Sequence, residues 1–316
     1  MSFSIANNFK VGVTSRSFSQ NEFLCRELNS LGTEVKLNSD GLSLSGSDLV
    51  DFLSDCDGVI VGLESFTDQI FEKIPRLKLI SKYGVGLDKI DLNAAASHGV
   101  EVSVEFGVNK VAVAELALSL ALILRRGINC APQRIAKGHW TQIVGKELTG
   151  AKVGIVGLGN IGRKLIELLS PFDCALFGCD IIDAREFWSG LSLQRSSLDE
   201  IFSSCDIISM HVPLNSSTYH MVGQEQLDLM KEGGILINTA RGGLIDEEAL
   251  AKKLEGGSIF AGLDVLEDEP KIDERFAEHP NCFITPHMGG SSTEAIQAMG
   301  LAAIDGIRKY LMSNGY

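Results

Sequence analysis

The sequence predicts an α/β fold built from doubly wound parallel sheets. Three observations carry that expectation. Short, continuously apolar runs alternate with helical patterns along nearly the whole chain. A glycine-rich turn, GLGNIG at 157–162, sits between an apolar run and a helical pattern. The length, 316 residues, exceeds what one hydrophobic core usually serves, so two domains are expected.

The apolar runs read as strands buried on both faces, as parallel sheets require. In the first third they are KVGVT (from Lys10), GVIVG (from Gly58) and LKLIS (from Leu77). From Ala151 they are AKVGIVG, CALFGCD, DIISM, GGILIN, SIFAGLD and NCFITP. Helices are expected near residues 21–31, 47–53, 68–73, 161–169 and 292–312. The last of these carries a one-sided apolar stripe, Ile296, Met299, Leu301, Ile304, Ile307 and Leu311, suited to docking on the first domain. The run VAVAELALSLALIL, residues 111–124, is apolar on nearly all sides of a helix. It should be buried all round, in a large core or against another subunit, and it reads as the connection between domains.

Composition narrows the function classes. The formal net charge is −13 and the isoelectric point about 4.9, which disfavours nucleic acid as a partner. A small anionic substrate would need positive charge supplied locally. No leader pattern is read at the N-terminus, and no apolar run is long enough to span a membrane. The seven cysteines form no C-x-x-C pair and read as small buried hydrophobes in a reducing cytoplasm. No cluster has metal-ligand spacing, so no metal is expected.

The glycine turn is the strongest local signal. Gly157 permits a tight turn, Gly159 lets a pyrophosphate approach the backbone, and Gly162 lets helix and strand pack closely. The helix start at Asn160 and Ile161 would offer unpaired N–H groups to the phosphates. Asp180 closes the next apolar run, where a carboxylate binds ribose hydroxyls and repels a 2′-phosphate. The expected cofactor is therefore NAD. Four further stretches follow at strand ends: HVPLNSSTYHM (from His211), NTARGGLIDEEAL (from Asn238), GLDVLEDEP (from Gly262) and TPHMGGSS (from Thr285). Alone, Arg241 is an ordinary surface charge, Glu269 a solvated acid, and His287 more often structural than catalytic. Their joint placement changes that reading.

In this order the motifs closely resemble the D-isomer-specific 2-hydroxyacid dehydrogenases. The resemblance extends to KGHWTQIVGKELTG, to SKYGVGLDKIDLNAA and to FGVNKVAVAEL, and it weakens before about Asp55. It implies two Rossmann-like domains with a cleft between them: a flavodoxin-like substrate domain from residues 1–103 plus 289–316, and an NAD-binding domain from 104–288. It implies that Arg241 holds the substrate carboxylate, that His287 is the acid/base, and that Glu269 fixes its tautomer. It further implies that His211, Val212, Pro213 and Thr218 line the cofactor groove, that Thr239 and Ala240 flank the nicotinamide, that Asp264 binds its carboxamide, and that Gly290 closes on it. Lys82, Tyr83, Gly84, Val85 and Gly86 would receive the substrate carboxylate, with Asn109 reaching the site. His98, His139, His220 and His279 have no acid partner placed by a motif and read as structural.

Within the family, the 3-phosphoglycerate dehydrogenases look most similar, through KYGVGLDKIDL and GVNKVAVAELAL. The chain ends at Tyr316, so a regulatory C-terminal domain is not expected. Glu64 stands where such enzymes often carry Arg, which leaves Lys82, with Lys110 a second candidate, to meet a phosphate. A glyoxylate, hydroxypyruvate or other 2-keto acid reductase is the alternative. An NADH-sensing binding or corepressor module is the alternative of another class. A homodimer is implied.

Overall fold

A computed structural model describes residues 9–316. The reading of the N-terminus as lacking a leader rests in part on residues 1–8, which lie outside the described residues. The chain divides into two compact units, one formed by residues 9–109 with Ser292–Tyr316 and one by Lys110–Ser291. The expected boundaries after 103 and 288 thus move to 109 and 291. Each break falls at the start of a long helix, Lys110–Arg125 or Thr293–Ser313, rather than in the preceding loop.

The first unit holds a five-stranded parallel sheet. Its strands are β1 (Lys10–Val13), β2 (Glu34–Leu37), β3 (Gly58–Val61), β4 (Leu79–Lys82) and β5 (Glu101–Ser103), in spatial order β2-β1-β3-β4-β5. This is the flavodoxin-like order, with its switch point between β1 and β3. Asp57 secures the sheet's lower end. Its carboxylate accepts from Arg76 Nε and Nη2 and from the Lys10 N–H, each at 2.9 Å. Burial pushes that carboxyl up, but the guanidinium fork and the amide outweigh it, and it stays below its usual range. The C-terminal helix Thr293–Ser313 belongs to this unit. It lies flat because Gly300 meets Leu24 and Gly306 meets Ser81 with no room for a side chain, and Ser81 Oγ donates to the Ala303 carbonyl at 2.7 Å.

The second unit holds seven parallel strands: β6 (Lys152–Val156), β7 (Ala175–Cys179), β8 (Gln194–Arg195), β9 (Ile207–Met210), β10 (Gly234–Asn238), β11 (Ile259–Leu263) and β12 (Cys282–Ile284). Their order is β12-β11-β10-β9-β6-β7-β8. Counted from β6, this is the Rossmann order 3-2-1-4-5-6 with one strand added beyond the sixth. The switch point falls between β6 and β9, so a ligand crevice is expected beyond the ends of those two strands.

All the expected strands are present, and three more appear: β2, β5 and β8. Each lies at a sheet edge. An edge strand is half solvated, so EVKL, EVS and QR lack the continuous apolar run that marks a central strand.

The connecting helix Lys110–Arg125, expected to be buried all round in a large core or against another subunit, is not buried all round within the chain. Only one face of it is buried in the chain, through Val113, Ala114, Ala117, Leu120, Ala121 and Leu124. Gly262 of β11 admits Leu120 and Leu124 closely. On the other side Val111 is exposed, and farther along Ile128, Ile135, Trp140 (91%) and Val144 (96%) are exposed too. Among the described residues, no helix is long and apolar enough to cross a membrane.

Candidate active site

The crevice is built first from glycine. Gly157 follows β6 with φ +94°, and a side chain there would strike the His211 carbonyl carbon at 2.7 Å. Gly162 packs on the Gly157 carbonyl with no room for a Cβ. Gly159 faces open space, so nothing but the absence of its own side chain is needed for a ligand to approach. The helix Asn160–Leu169 begins there without a side-chain cap, leaving its first N–H groups available. Asp180, just past β7, accepts from the Leu158 N–H at 2.7 Å and from the Ile182 N–H at 3.0 Å. Its carboxylate is thereby anchored to the glycine turn.

Two buried polar atoms beside this turn lack a hydrogen-bond partner among the described residues: His211 Nδ1 and Thr239 Oγ1. The other His211 ring nitrogen lies 2.9 Å from Ser209 Oγ. Burial pushes the His211 pKa down to about 4, so the ring is neutral and can offer a lone pair or an N–H to a ligand. Orphaned polar atoms in a glycine-lined crevice fit a dinucleotide with its amide and ribose hydroxyls. Val212, Pro213 and Thr218 follow β9, where Thr218 Oγ1 donates to the Pro213 carbonyl at 2.7 Å and closes the turn.

The candidate reacting side chains follow three neighbouring strands of the same unit. After β10, Asn238 organises the turn: its Nδ2 donates to the Arg241 carbonyl at 2.7 Å and its Oδ1 accepts from the Ala240 N–H at 3.0 Å. This holds Arg241, whose Nη1 donates to the Ala240 carbonyl at 2.7 Å. Asn238 is a supporting residue that its motif position alone did not reveal. After β11 comes Asp264, 1% exposed. Its carboxylate accepts from Thr285 Oγ1 (2.6 Å) and from the N–H groups of Met288 and Gly289 (each 2.8 Å). Burial raises the Asp264 pKa, and these three donors oppose that rise. Asp264, expected to meet the nicotinamide carboxamide, is thus engaged through both oxygens in holding the loop after β12.

That loop carries His287 in the left-handed region, φ +49°, with its N–H on the Asp264 carbonyl at 2.8 Å. The His287 ring presents Nδ1 to Glu269 Oε1 at 2.7 Å. A carboxylate at that distance holds the proton on Nδ1 and leaves Nε2 as the atom that can exchange one. Arg241, Glu269 and His287 therefore share one unit, and the last two touch. Gly290 follows in the same loop, half-buried.

In the first unit, Lys82 ends β4 and is buried, and its Nζ donates to the Gly62 carbonyl. The Gly62 N–H donates to Glu64 Oε2 at 2.8 Å, so cation and carboxylate hold the two successive peptides that flank Gly62. Gly84 adopts φ +124°, and Tyr83 packs edge-on to Phe18 while Val85 and Gly86 are half-exposed. Asn109 is buried, and its Oδ1 has no partner among the described residues.

Two histidines read as structural do face acids. His98 Nε2 lies 2.9 Å from Asp68, and His220 Nε2 lies 3.0 Å from Glu267. The second pair is separated by 47 positions, a distance no local pattern spans. Among the described residues no group of three or more His, Cys, Asp or Glu could hold a metal.

Residues 118–289 match the family model of the D-isomer specific 2-hydroxyacid dehydrogenase, NAD binding domain. The chain belongs to this family. A hydroxypyruvate reductase from Thermotoga maritima is 34% identical over 296 residues, covering 90% of this chain and 96% of that protein. A D-3-phosphoglycerate dehydrogenase from Methanocaldococcus jannaschii is 36% identical over 273 residues, covering 85% of this chain. The chain spans about half the length of that relative, 52%. A crystal structure of a D-lactate dehydrogenase from Aquifex aeolicus, complexed with NAD and lactic acid, superposes with a TM-score of 0.83 at 25% identity, covering 96% of each chain. The cofactor of this family member is NAD, and the glycine turn, Asp180 and the orphaned polar atoms fit it.

Replacing Asp180 with Ser should relax discrimination against a 2′-phosphorylated cofactor. The check is the ratio of kcat/KM for NADH to that for NADPH, which should fall by at least about tenfold, the equivalent of roughly 1.4 kcal/mol. An unchanged ratio would remove Asp180 from the ribose site.

Proposed function

We propose that the protein interconverts a small 2-keto acid and the corresponding D-2-hydroxy acid. The observation that carries this reading is the His287–Glu269 pair at 2.7 Å, in the same unit as Arg241 and the glycine turn. NAD, when bound, supplies the hydride acceptor or donor. The chain's own residues do the rest. Arg241 offers a permanent, planar cation to the substrate's carboxylate and keto oxygen. His287 Nε2 gives a proton to the oxygen that becomes the hydroxyl, and takes it back in the reverse direction. Glu269 keeps Nδ1 protonated and stabilises the ring when it carries charge.

A chain of net charge −13 would repel such an anion at long range, so capture depends on a local cation, and Arg241 is the candidate within the unit that carries His287 and Glu269. A 3-phosphoglycerate-type substrate remains the reading favoured by the loop sequence KYGVGLDKIDL. The glyoxylate or hydroxypyruvate reading is favoured by Glu64, whose carboxylate is bonded to the same glycine, Gly62, that Lys82 holds. The intact Arg241, Glu269 and His287 favour turnover over a purely NADH-sensing role.

The partner proposed for the uncovered side of the connecting segment is a second copy of this chain. Val111, Ile128, Ile135, Trp140 and Val144 expose an unusual run of large apolar side chains between 110 and 145. The seven free cysteines, three of them buried, suit a reducing cytoplasm.

NADH oxidation measured with glyoxylate, pyruvate, hydroxypyruvate and phosphohydroxypyruvate tests the reading. Turnover of the phosphorylated acid at least about tenfold above the others would support the phosphoglycerate type, and preference for an unphosphorylated acid the reductase type. Absence of turnover with all four, alongside tight NADH binding, would contradict the enzymatic reading. Sedimentation equilibrium should give twice the chain mass of 34.1 kDa, falling toward one chain in Trp140→Asp. A monomeric wild type would remove the dimer.

A further inference from the structure

The Glu269 loop is fastened from outside the reacting groups. Glu267, two residues before Glu269, has both carboxylate oxygens occupied: Tyr219 Oη donates to Oε1 at 2.7 Å and His220 Nε2 lies 3.0 Å from Oε2. The two rings stack, with centroids 3.9 Å apart and planes 17° apart, so they act as one flat plate against the carboxylate. The Tyr219 hydroxyl, opposed by burial and aided by His220, holds the Glu267 carboxyl below its usual range. The backbone N–H of Glu267 donates to Glu247 Oε1 at 2.7 Å.

The same turn also grips the Arg241 loop. His220 adopts φ +51°, and its N–H donates to the Gly243 carbonyl at 2.8 Å. Val222 N–H donates to the Leu244 carbonyl at 3.1 Å. Gly242 in turn lies against the Leu266–Glu267 peptide with no space for a side chain. One residue, His220, is thus bonded through its backbone to the loop of Arg241 and through its ring to the loop of Glu269. It spends a left-handed backbone conformation to do both, which is uncommon outside glycine.

We propose that Tyr219 and His220 are positioning residues: by clamping Glu267 against the Arg241 loop they fix where Glu269 meets His287. This rests on the reading of Arg241, Glu269 and His287 as the reacting groups. Neither Tyr219 nor His220 need touch substrate or cofactor. Half-exposed pairs of this kind add little to global stability, so their loss should appear in local geometry rather than in melting. Misplacing a catalytic group by about 1 Å can cost about a hundredfold in rate.

The test compares His220→Ala with His220→Gln. Both replace the residue at the same left-handed position, so backbone strain is common to them, while the Gln amide nitrogen can stand where Nε2 stands. The expected result is a kcat about tenfold to a hundredfold lower in His220→Ala, an unchanged melting temperature and NADH Kd, and substantial recovery in His220→Gln. Tyr219→Phe, which loses only the donor hydroxyl, should fall between wild type and His220→Ala, and it stands in should His220→Ala fail to fold. Wild-type kcat in both Ala and Phe variants, or Gln no better than Ala, would overturn the clamp.

A readout without turnover separates this from failure of the functional reading. In substrate-free protein, the His287 ring carbon–proton NMR signal, assigned with His287→Asn, should shift in His220→Ala and return in His220→Gln. An unmoved signal would overturn the clamp even in a protein that reduces no 2-keto acid. A moved signal in such a protein would uphold it and place the failure in the functional reading.

Discussion

A single buried carboxylate, Asp264, governs the candidate active site. It is 1% exposed, and burial works against its charge. Thr285, Met288 and Gly289 all donate to it, and the His287 N–H bonds its backbone carbonyl. Leaving a charge of this kind without donors would be costly, so the loop after β12 is drawn down onto the end of β11. His287 takes its left-handed backbone conformation within that folded loop, and only there does its ring meet Glu269. The His287–Glu269 contact is therefore tied to how one buried acid is satisfied.

The parallel sheet explains why this can happen. All strands of the second unit run the same way, so the loops bearing Gly157, His211, Arg241, Glu269 and His287 leave the same edge. Asn238 braces the Arg241 turn, Asp264 the His287 loop, and the Tyr219–His220 plate the Glu269 loop. Each candidate reacting side chain thus has a polar support on a rigid strand end or on a neighbouring loop. Such support is what holds a catalytic geometry within the small tolerance that proton transfer demands.

Much of this was legible in the sequence because it is local. Central strands announce themselves by continuous apolar runs, and the glycine turn by its spacing. The edge strands β2, β5 and β8 were not legible, since a half-solvated strand such as EVKL needs no apolar run. The apolar sequence of the connecting helix describes one face buried within the chain and, at Val111 and beyond, surface that the chain alone leaves open. Arg241, Glu269 and His287 were found through motifs, but the acid partner of His220 lies 47 positions away and is set by loop packing alone. Asp264 was visible as a residue, while its role as an anchor for residues 285–289 depends on contacts across more than twenty positions.

The most direct test of the account is the rate of hydride transfer in a single turnover of His287→Asn, with NADH and the best 2-keto acid both saturating. The account predicts a rate at least about a hundredfold below wild type, with the NADH Kd unchanged, because a fixed proton donor contributes on the order of 10²–10⁴. A wild-type rate in that variant would contradict it, for the proton would then come from elsewhere and the loop that Asp264 folds would have no part in the chemistry.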